Sequence, residues 1–224
     1  DEYYDAHALD PYGPCHNQYF GVYSACVAGM SSVAIHGSTH MRSVYAQNTS
    51  HPDSPGLEQG WNALLTTYVR FGRWSDILND TGGTAPVSNT PYVDLLRAYS
   101  RGFANLHVHN DVFSELLLLQ KSQEKIIARA DSDSSGFNRM AVRLASIANN
   151  TLTAAVLLST SSRSSNTKLA VELMSQAAIA QDGWHYDEPP DWHYSIHGCS
   201  GKVLLDQGAL KAAELAYLSD LQAY

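Results

Sequence analysis

The sequence has few charged residues, and this scarcity excludes one class of function. Charged residues make up 16% of the 224, with 14 Lys and Arg against 22 Asp and Glu and a net charge of −8. Soluble domains typically carry about 25% charged residues, so Ser, Thr, Asn and Gln must supply much of the polar surface. The basic residues are scattered and form no stripe that would neutralise phosphates. We therefore expect no nucleic-acid binding.

Long apolar runs are also lacking. A membrane-spanning helix needs about 18 or more consecutive apolar residues, and the longest candidates, 116–119 and 153–158, are far shorter. We therefore predict no membrane span. No signal peptide is visible, but the chain begins at Asp1 without an initiator Met, which indicates a processed or trimmed product. Both a cytoplasmic and a secreted location stay open.

Cysteine is scarce, with residues only at Cys15, Cys26 and Cys199. If residues 16–28 are helical, Cys15 and Cys26 lie about 16 Å apart at a rise of about 1.5 Å per residue. A disulfide requires Cα atoms within about 7 Å. We therefore expect no disulfide framework.

Helical apolar spacing is present along nearly the whole chain. Trp61, Leu64, Leu65 and Tyr68 fall on one helical face, and later segments repeat that spacing. Strand patterns are weak, because no segment alternates apolar and polar residues between hairpin turns. Short and long polar breaks alternate between about ten predicted helices, as they do between antiparallel helical hairpins. The pattern predicts an all-α chain.

One spacing recurs in each predicted hairpin. A residue on the first helix is followed seven positions later by a turn residue. One packing residue comes five positions after the turn residue, and a second comes four positions after that. The clearest set is Gly201, Gly208, Ala213 and Tyr217. The others are Val22, Gly29, Ala34 and Ser38; Leu65, Gly72 and Ile77; Gly102, His109, Ser114 and Leu118; and Leu158, Ser165, Ala170 and Met174. Small residues would let the paired helices approach closely.

Two motifs carry a resemblance to a known family. Residues 14–20 read Pro-Cys-His-Asn-Gln-Tyr-Phe, and residues 188–195 read Glu-Pro-Pro-Asp-Trp-His-Tyr-Ser. With the middle segments 69–74 and 99–102, they resemble a divergent, largely bacterial subgroup of the tetratricopeptide-repeat (TPR) family. Its first repeat reads Pro-His-Asn-x-His-Phe and its last opens Glu-Pro-Pro-x-Trp-x-Tyr-Pro. The departures are the inserted Cys15, Tyr19 in place of the second His, and Ser195 in place of Pro.

This resemblance implies a right-handed α-solenoid that binds proteins and catalyses no reaction. We expect one domain over residues 1–224, with about five hairpins at 14–47, 56–80, 91–130, 137–182 and 190–224. The expected ligand is a protein or peptide on the concave face, without a cofactor or metal. The candidate contact residues lie in the two motifs: His16, Asn17, Asp191, Trp192 and Tyr194. For His16 and Asn17, capping of the first helix is the favoured interpretation.

A second hypothesis is a structural subunit that assembles from copies of itself. The final predicted helix, 210–221, carries Leu210, Leu215, Leu218 and Leu221 with little charge, and no polar capping helix follows. Solenoids need polar terminal caps to stay soluble. Uncapped ends would stack head to tail into a ring or filament.

A zinc enzyme is the third hypothesis, and the least favoured. His193 and His197 are four residues apart, with Asp187 and Cys199 nearby, a spacing that can hold zinc. The glutamate of a hydrolytic HExxH site is missing. No Gly-x-Ser-x-Gly nucleophile motif or Gly-rich phosphate loop occurs, so we expect no enzyme.

Three sequons for N-linked glycosylation occur, at Asn48, Asn79 and Asn149. Two of them fall in or beside predicted long loops, where a glycan has room. If they are used, the self-assembling subunit of the second hypothesis would be an extracellular glycoprotein.

Overall fold

The computed structural model describes residues 16–47, 55–80, 91–132, 136–160, 164–183, 189–190, 192 and 194–223. These residues form ten helices and no strand, so the prediction of an all-α chain is confirmed. The helices are α1 (His16–Val27), α2 (Ser31–Gln47), α3 (Pro55–Arg70), α4 (Trp74–Asn79), α5 (Pro91–His107), α6 (Phe113–Ser132), α7 (Gly136–Thr160), α8 (Ser164–Asp182), α9 (Ile196–Asp206) and α10 (Leu210–Ala223). Predicted turn and Pro-rich segments separate them.

Four of the five predicted turn residues adopt a left-handed backbone. The φ angles are 73° at Gly29, 62° at Gly72, 59° at His109 and 74° at Gly208. In each case the residue after the turn donates its N–H to a carbonyl five positions earlier, as when Ala209 N bonds Leu204 O at 3.0 Å. This hydrogen bond is the signature of the Schellman motif that ends α-helices. The fifth predicted turn residue, Ser165, lies instead within the first turn of α8.

The helices pack in chain order. Each helix contacts the next one, and α3, α5 and α7 also contact the first helix of the preceding pair, namely α1, α3 and α5. The close approach predicted at Gly201 is present, because a Cβ there would lie 2.8 Å from the ring of Tyr217 in α10. A Cβ at Gly102 would meet Leu152 of α7, at 2.5 Å. Gly102 therefore lets α5 approach α7 of the following pair, whereas the sequence predicted a close approach to its own partner helix α6.

The predicted packing residues of the third hairpin are wrong. Ser114 and Leu118 are exposed, and Leu119 and Ser122 are buried instead. Five residues separate α5 from α6, whereas three separate α1 from α2 and α9 from α10. Because the turn is two residues longer, the residues of α6 that face the core lie at other offsets from the turn residue than in those pairs.

The core divides into two clusters of buried side chains. The larger is built mainly from α5, α7 and α8, with Leu96, Leu144 and Ala177 at its centre. The smaller joins α1 to α2 and α3 through buried side chains that include Val22, Ala34 and Ala63. The central helices α5 and α7 also carry residues that line the candidate site.

One segment of α7, Asn138–Ser159, is long and apolar enough by length and composition to cross a membrane. In the structure this segment packs against α5, α6 and α8. A helix at the centre of a protein core has the same composition. The expected absence of a membrane span therefore stays a prediction.

Candidate binding groove

A groove of about 860 Å³ runs across one face of the helices. Its walls come mainly from the first helix of every pair, that is from α1, α3, α5, α7 and α9. One residue each of α4, α8 and α10 and three residues of the connection before α9 complete the lining. Most side chains that line it are apolar or aromatic, among them Tyr23, Trp74, Phe103, Leu158, Trp192 and Tyr194. A concave surface of this size and character is typical of a ligand-binding site.

Three aromatic side chains form the centre of the groove. Tyr99 of α5 is buried, and its hydroxyl is hydrogen-bonded to the hydroxyl of Tyr194. The ring of Trp192 lies edge-on to Tyr99, with centroids 5.2 Å apart, and 5.3 Å from the ring of Tyr194. Burial raises the pKa of both tyrosines above the ordinary value of 10.0. Both hydroxyls are therefore neutral and act as hydrogen-bonding groups.

The backbone that carries Tyr194 is held by one buried side chain. Gln181, near the end of α8, donates from Nε2 to the Tyr194 carbonyl at 3.1 Å and accepts the Ile196 N–H at 2.8 Å. Ser195 then caps α9, its side chain accepting from Gly198 N. The connection between α8 and α9 is thus fixed at its C-terminal end, and Tyr194 is fixed with it.

The indole N–H of Trp192 has no hydrogen-bond partner among the described residues. Trp192 is 4% exposed, and its Nε1 is one of three buried polar side-chain atoms without a partner in the described part of the chain. The other two belong to Arg42 and Asn62, which lie outside the groove. A buried donor without an acceptor costs about 1–3 kcal/mol. An acceptor that reached this N–H would recover part of that free energy.

A second aromatic surface lies where α4 meets the end of α5. Trp74 and His107 stack with centroids 4.2 Å apart and planes 11° from parallel. The short helix α4 is anchored by an ion pair that follows it, in which Arg42 Nη1 lies 2.8 Å from Asp80 Oδ2. The same guanidinium lies 5.1 Å from the centroid of the Trp61 ring. These contacts position Trp74 at the groove.

Three charged side chains lie along the groove. Lys202 of α9 is paired with Asp206 at 2.5 Å. Asp220 of α10 rests against α9, its Oδ2 3.1 Å from where a Cβ on Gly198 would stand. Arg70, the last residue of α3, is exposed, and no described carboxylate pairs with it. Arg70 is therefore the cation that is available to a ligand.

The thiol in the groove is poorly suited to nucleophilic chemistry. Burial raises the pKa of Cys199 to about 11, which the nearby Arg70 only partly offsets. Burial also raises the pKa of Cys26 above the ordinary 9.0. Both are free thiols, and the thiolate is the reactive form. At neutral pH the two side chains therefore serve as small apolar groups.

The structure brings together only some of the predicted contact residues. Trp192 and Tyr194 line the groove, whereas Asp191 lies outside the described residues. His16 and Asn17 begin α1 away from the groove, where the His16 ring lies edge-on to Phe20, with centroids 5.2 Å apart.

The other predicted sites are separate from the groove. Asn79 is exposed at the end of α4, and Asn48 lies outside the described residues. Asn149 lies within α7, where its Nδ2 donates to Gln123 Oε1 at 2.8 Å. His197 Nε2 is paired with Asp182 at 2.9 Å. His193 is not among the described residues, and those residues contain no group of three or more potential metal ligands.

Sequence reasoning missed most of the groove. Arg70, Trp74, Tyr99 and His107 were not proposed as contact residues, although segments 69–74 and 99–102 carry part of the family resemblance. Arg70 and His107 are the last residues of α3 and α5. Large polar or aromatic residues at the ends of successive first helices were the signal that could have identified them.

Comparison of the chain with protein-family models, with curated proteins and with solved structures finds no match. The groove itself is therefore the basis for a functional proposal.

Proposed function

We propose that this chain is a non-catalytic, TPR-like scaffold that holds a peptide or protein partner in its groove. The observation that carries the proposal is that the first helix of all five pairs contributes to one continuous, aromatic-lined groove. Stacked helical pairs form an extended concave surface, which is the usual binding face of a solenoid. The right-handed TPR superhelix is part of this proposal.

The chemistry of the groove favours binding of side chains. Partly exposed aromatic residues of the lining, such as Trp74 and Phe103, give large contact areas and lose little conformational entropy on binding, since they have few rotatable bonds. Gln181 fixes the backbone at Tyr194 before any partner arrives, which lowers the entropic cost of association. The raised pKa of Cys199 supports a binding role over a nucleophilic one.

Selection from a random peptide library displayed on phage tests the proposal. Ala155 is half-buried and lines the groove, so Ala155→Trp would fill part of it. Ala128 is exposed on α6 outside the groove, and Ala128→Trp is the matched control. We expect peptides selected on the unmodified protein to bind the Ala155 variant at least about tenfold more weakly by calorimetry, a loss of about 1.4 kcal/mol. Equal affinity for all three proteins would refute a groove-binding scaffold.

A second candidate function is self-assembly, and α10 supplies the observation that favours it. Leu210 and Leu215 are each 65% exposed and Leu221 is 79% exposed. At about 100° per residue these side chains lie within an arc of about 140° on the helix. Lys211 and Glu214 lie within the same arc, so the exposed leucines form an interrupted apolar surface, which a second copy of the chain would bury.

Light scattering over a range of protein concentrations tests the assembly candidate. We expect larger species at high concentration, and a Leu215→Lys, Leu221→Lys double variant that stays monomeric. A protein that is monomeric at every concentration would exclude this function. The groove-binding proposal would be unaffected.

A further inference from the structure

We infer that the partner segment held in the groove is apolar and carries a single carboxylate, which Arg70 binds beside the aromatic wall. This inference rests on the proposed function and specifies the chemistry of the partner. It makes Arg70 a specificity-determining residue.

Arg70 stands as a cation in an apolar part of the groove wall. It is the last residue of α3, and it lines the groove next to Val69 and in the same wall as Tyr194 and Cys199. No described carboxylate neutralises it. Arginine is the side chain best shaped to bind a carboxylate through two parallel hydrogen bonds. A cation set in an apolar wall therefore selects an anionic group with apolar neighbours.

The other charges of the groove disfavour a second negative charge on the partner. Lys202 is already paired with Asp206. Asp220 rests against α9 at Gly198, so a second carboxylate placed towards α9 would be repelled. The whole chain has a net charge of −8, which disfavours long acidic partners.

The aromatic wall provides the apolar half of the site. Trp74 and His107 stack on one side of the groove, and Trp192 and Tyr194 stand at its centre. Apolar or aromatic partner side chains would bury their surface here, at roughly 25 cal/mol per Å² removed from water.

Two fluorescent probes of nearly the same shape separate charge from apolar contact. 1-Anilinonaphthalene-8-sulfonate has aromatic rings and one anionic group, and N-phenyl-1-naphthylamine has the same rings without it. We expect Arg70→Gln to weaken binding of the anionic probe about fivefold or more, and to change binding of the neutral probe less than about twofold. Arg70→Lys keeps the charge but loses the paired hydrogen bonds, so it should weaken binding of the anionic probe less than Arg70→Gln does.

Arg73 offers a matched control for this titration. It is an exposed arginine three residues from Arg70, it does not line the groove, and it is paired with Asp76 at 2.5 Å. Arg73→Gln should leave both probes unchanged, and the groove-filling Ala155→Trp variant should weaken both. If the anionic probe is indifferent to Arg70 but both probes respond to Ala155→Trp, the carboxylate inference is wrong and the groove-binding proposal stands. If neither probe responds to Ala155→Trp, both are wrong.

The peptide library distinguishes a partner segment from a free aromatic acid. Displayed peptides whose C-termini are fused to the phage coat contain no free terminal carboxylate, so any anionic group in them comes from Asp or Glu. On the unmodified protein we expect selected peptides enriched in one acidic residue next to aromatic or aliphatic residues. On Arg70→Gln that acidic residue should no longer be enriched. Peptides without an acidic residue in both selections would overturn the inference.

Discussion

The hydroxyls of Tyr99 and Tyr194 are hydrogen-bonded to each other across 95 residues of sequence. Tyr99 lies on the central helix α5, and Tyr194 lies just before α9. The bond links the segment before α9 to α5, so residues from two distant motifs are joined in one site.

Removing either hydroxyl should destabilise the fold. Tyr194→Phe removes one hydrogen bond from the buried Tyr99 hydroxyl, which keeps Thr151 as a partner, at a cost of about 1 kcal/mol. Tyr99→Phe should cost a similar amount. The double variant should cost little more than either single one, since it removes both groups together. Urea denaturation of the four proteins measures this coupling, and strictly additive costs would show that the two hydroxyls do not interact.

Stability should fall at alkaline pH. The folded pKa of Cys199 is raised to about 11 from 9.0, and those of Tyr99 and Tyr194 are raised above 10.0. The unfolded chain therefore loses these protons first, so the stabilisation is complete below pH 9 and declines as pH rises through 11. Urea midpoints measured between pH 8 and 11 should decrease. The urea midpoint of Cys199→Ala should decrease less steeply between pH 9 and 10. If its slope with pH equals that of the unmodified protein, the effect does not come from this thiol.

Two glycines should respond to alanine in opposite directions. Gly208 has a φ of 74°, so Gly208→Ala would strain the turn between α9 and α10 and cost about 1 kcal/mol. Gly21 lies within α1, and a Cβ added there would have no neighbouring atom within 4 Å. Alanine at that position favours helix by up to about 1 kcal/mol. Unfolding free energies measure both changes. Equal effects would mean that the turn at Gly208 is not left-handed.

The sequons should behave differently in a eukaryotic secretory host. Asn79 is exposed at the end of α4, whereas Asn149 is half-buried in α7 and donates to Gln123. We expect a glycan at Asn79 that glycosidase removes, and none at Asn149 in the folded product. Intact mass of Asn79→Gln and Asn149→Gln tests this. Asn149→Gln should also lower the free energy of unfolding by about 1 kcal/mol, while Asn79→Gln should leave it unchanged.

Local sequence determined the helices and most of their turns. Apolar spacing and glycine placement depend on interactions within a few residues, so Gly29, Gly72 and Gly208 were recognisable as turns without knowledge of the fold. The third pair shows the limit of this reasoning. Two additional residues between α5 and α6 changed which face of α6 is buried, and the spacing alone did not reveal their effect.

Tertiary structure alone decided which side chains form the groove. Arg70 and Arg73 are three residues apart, yet one lines the groove and the other is paired with Asp76 on the surface. Tyr99 and Tyr194 meet because α5, α7 and α8 pack in a particular order. Sequence spacing fixes which residues share a helical face, because the helix has a regular period. The angles and offsets between packed helices decide which of those faces converge, and they depend on contacts such as Gly102 with Leu152 that lie far apart in the chain.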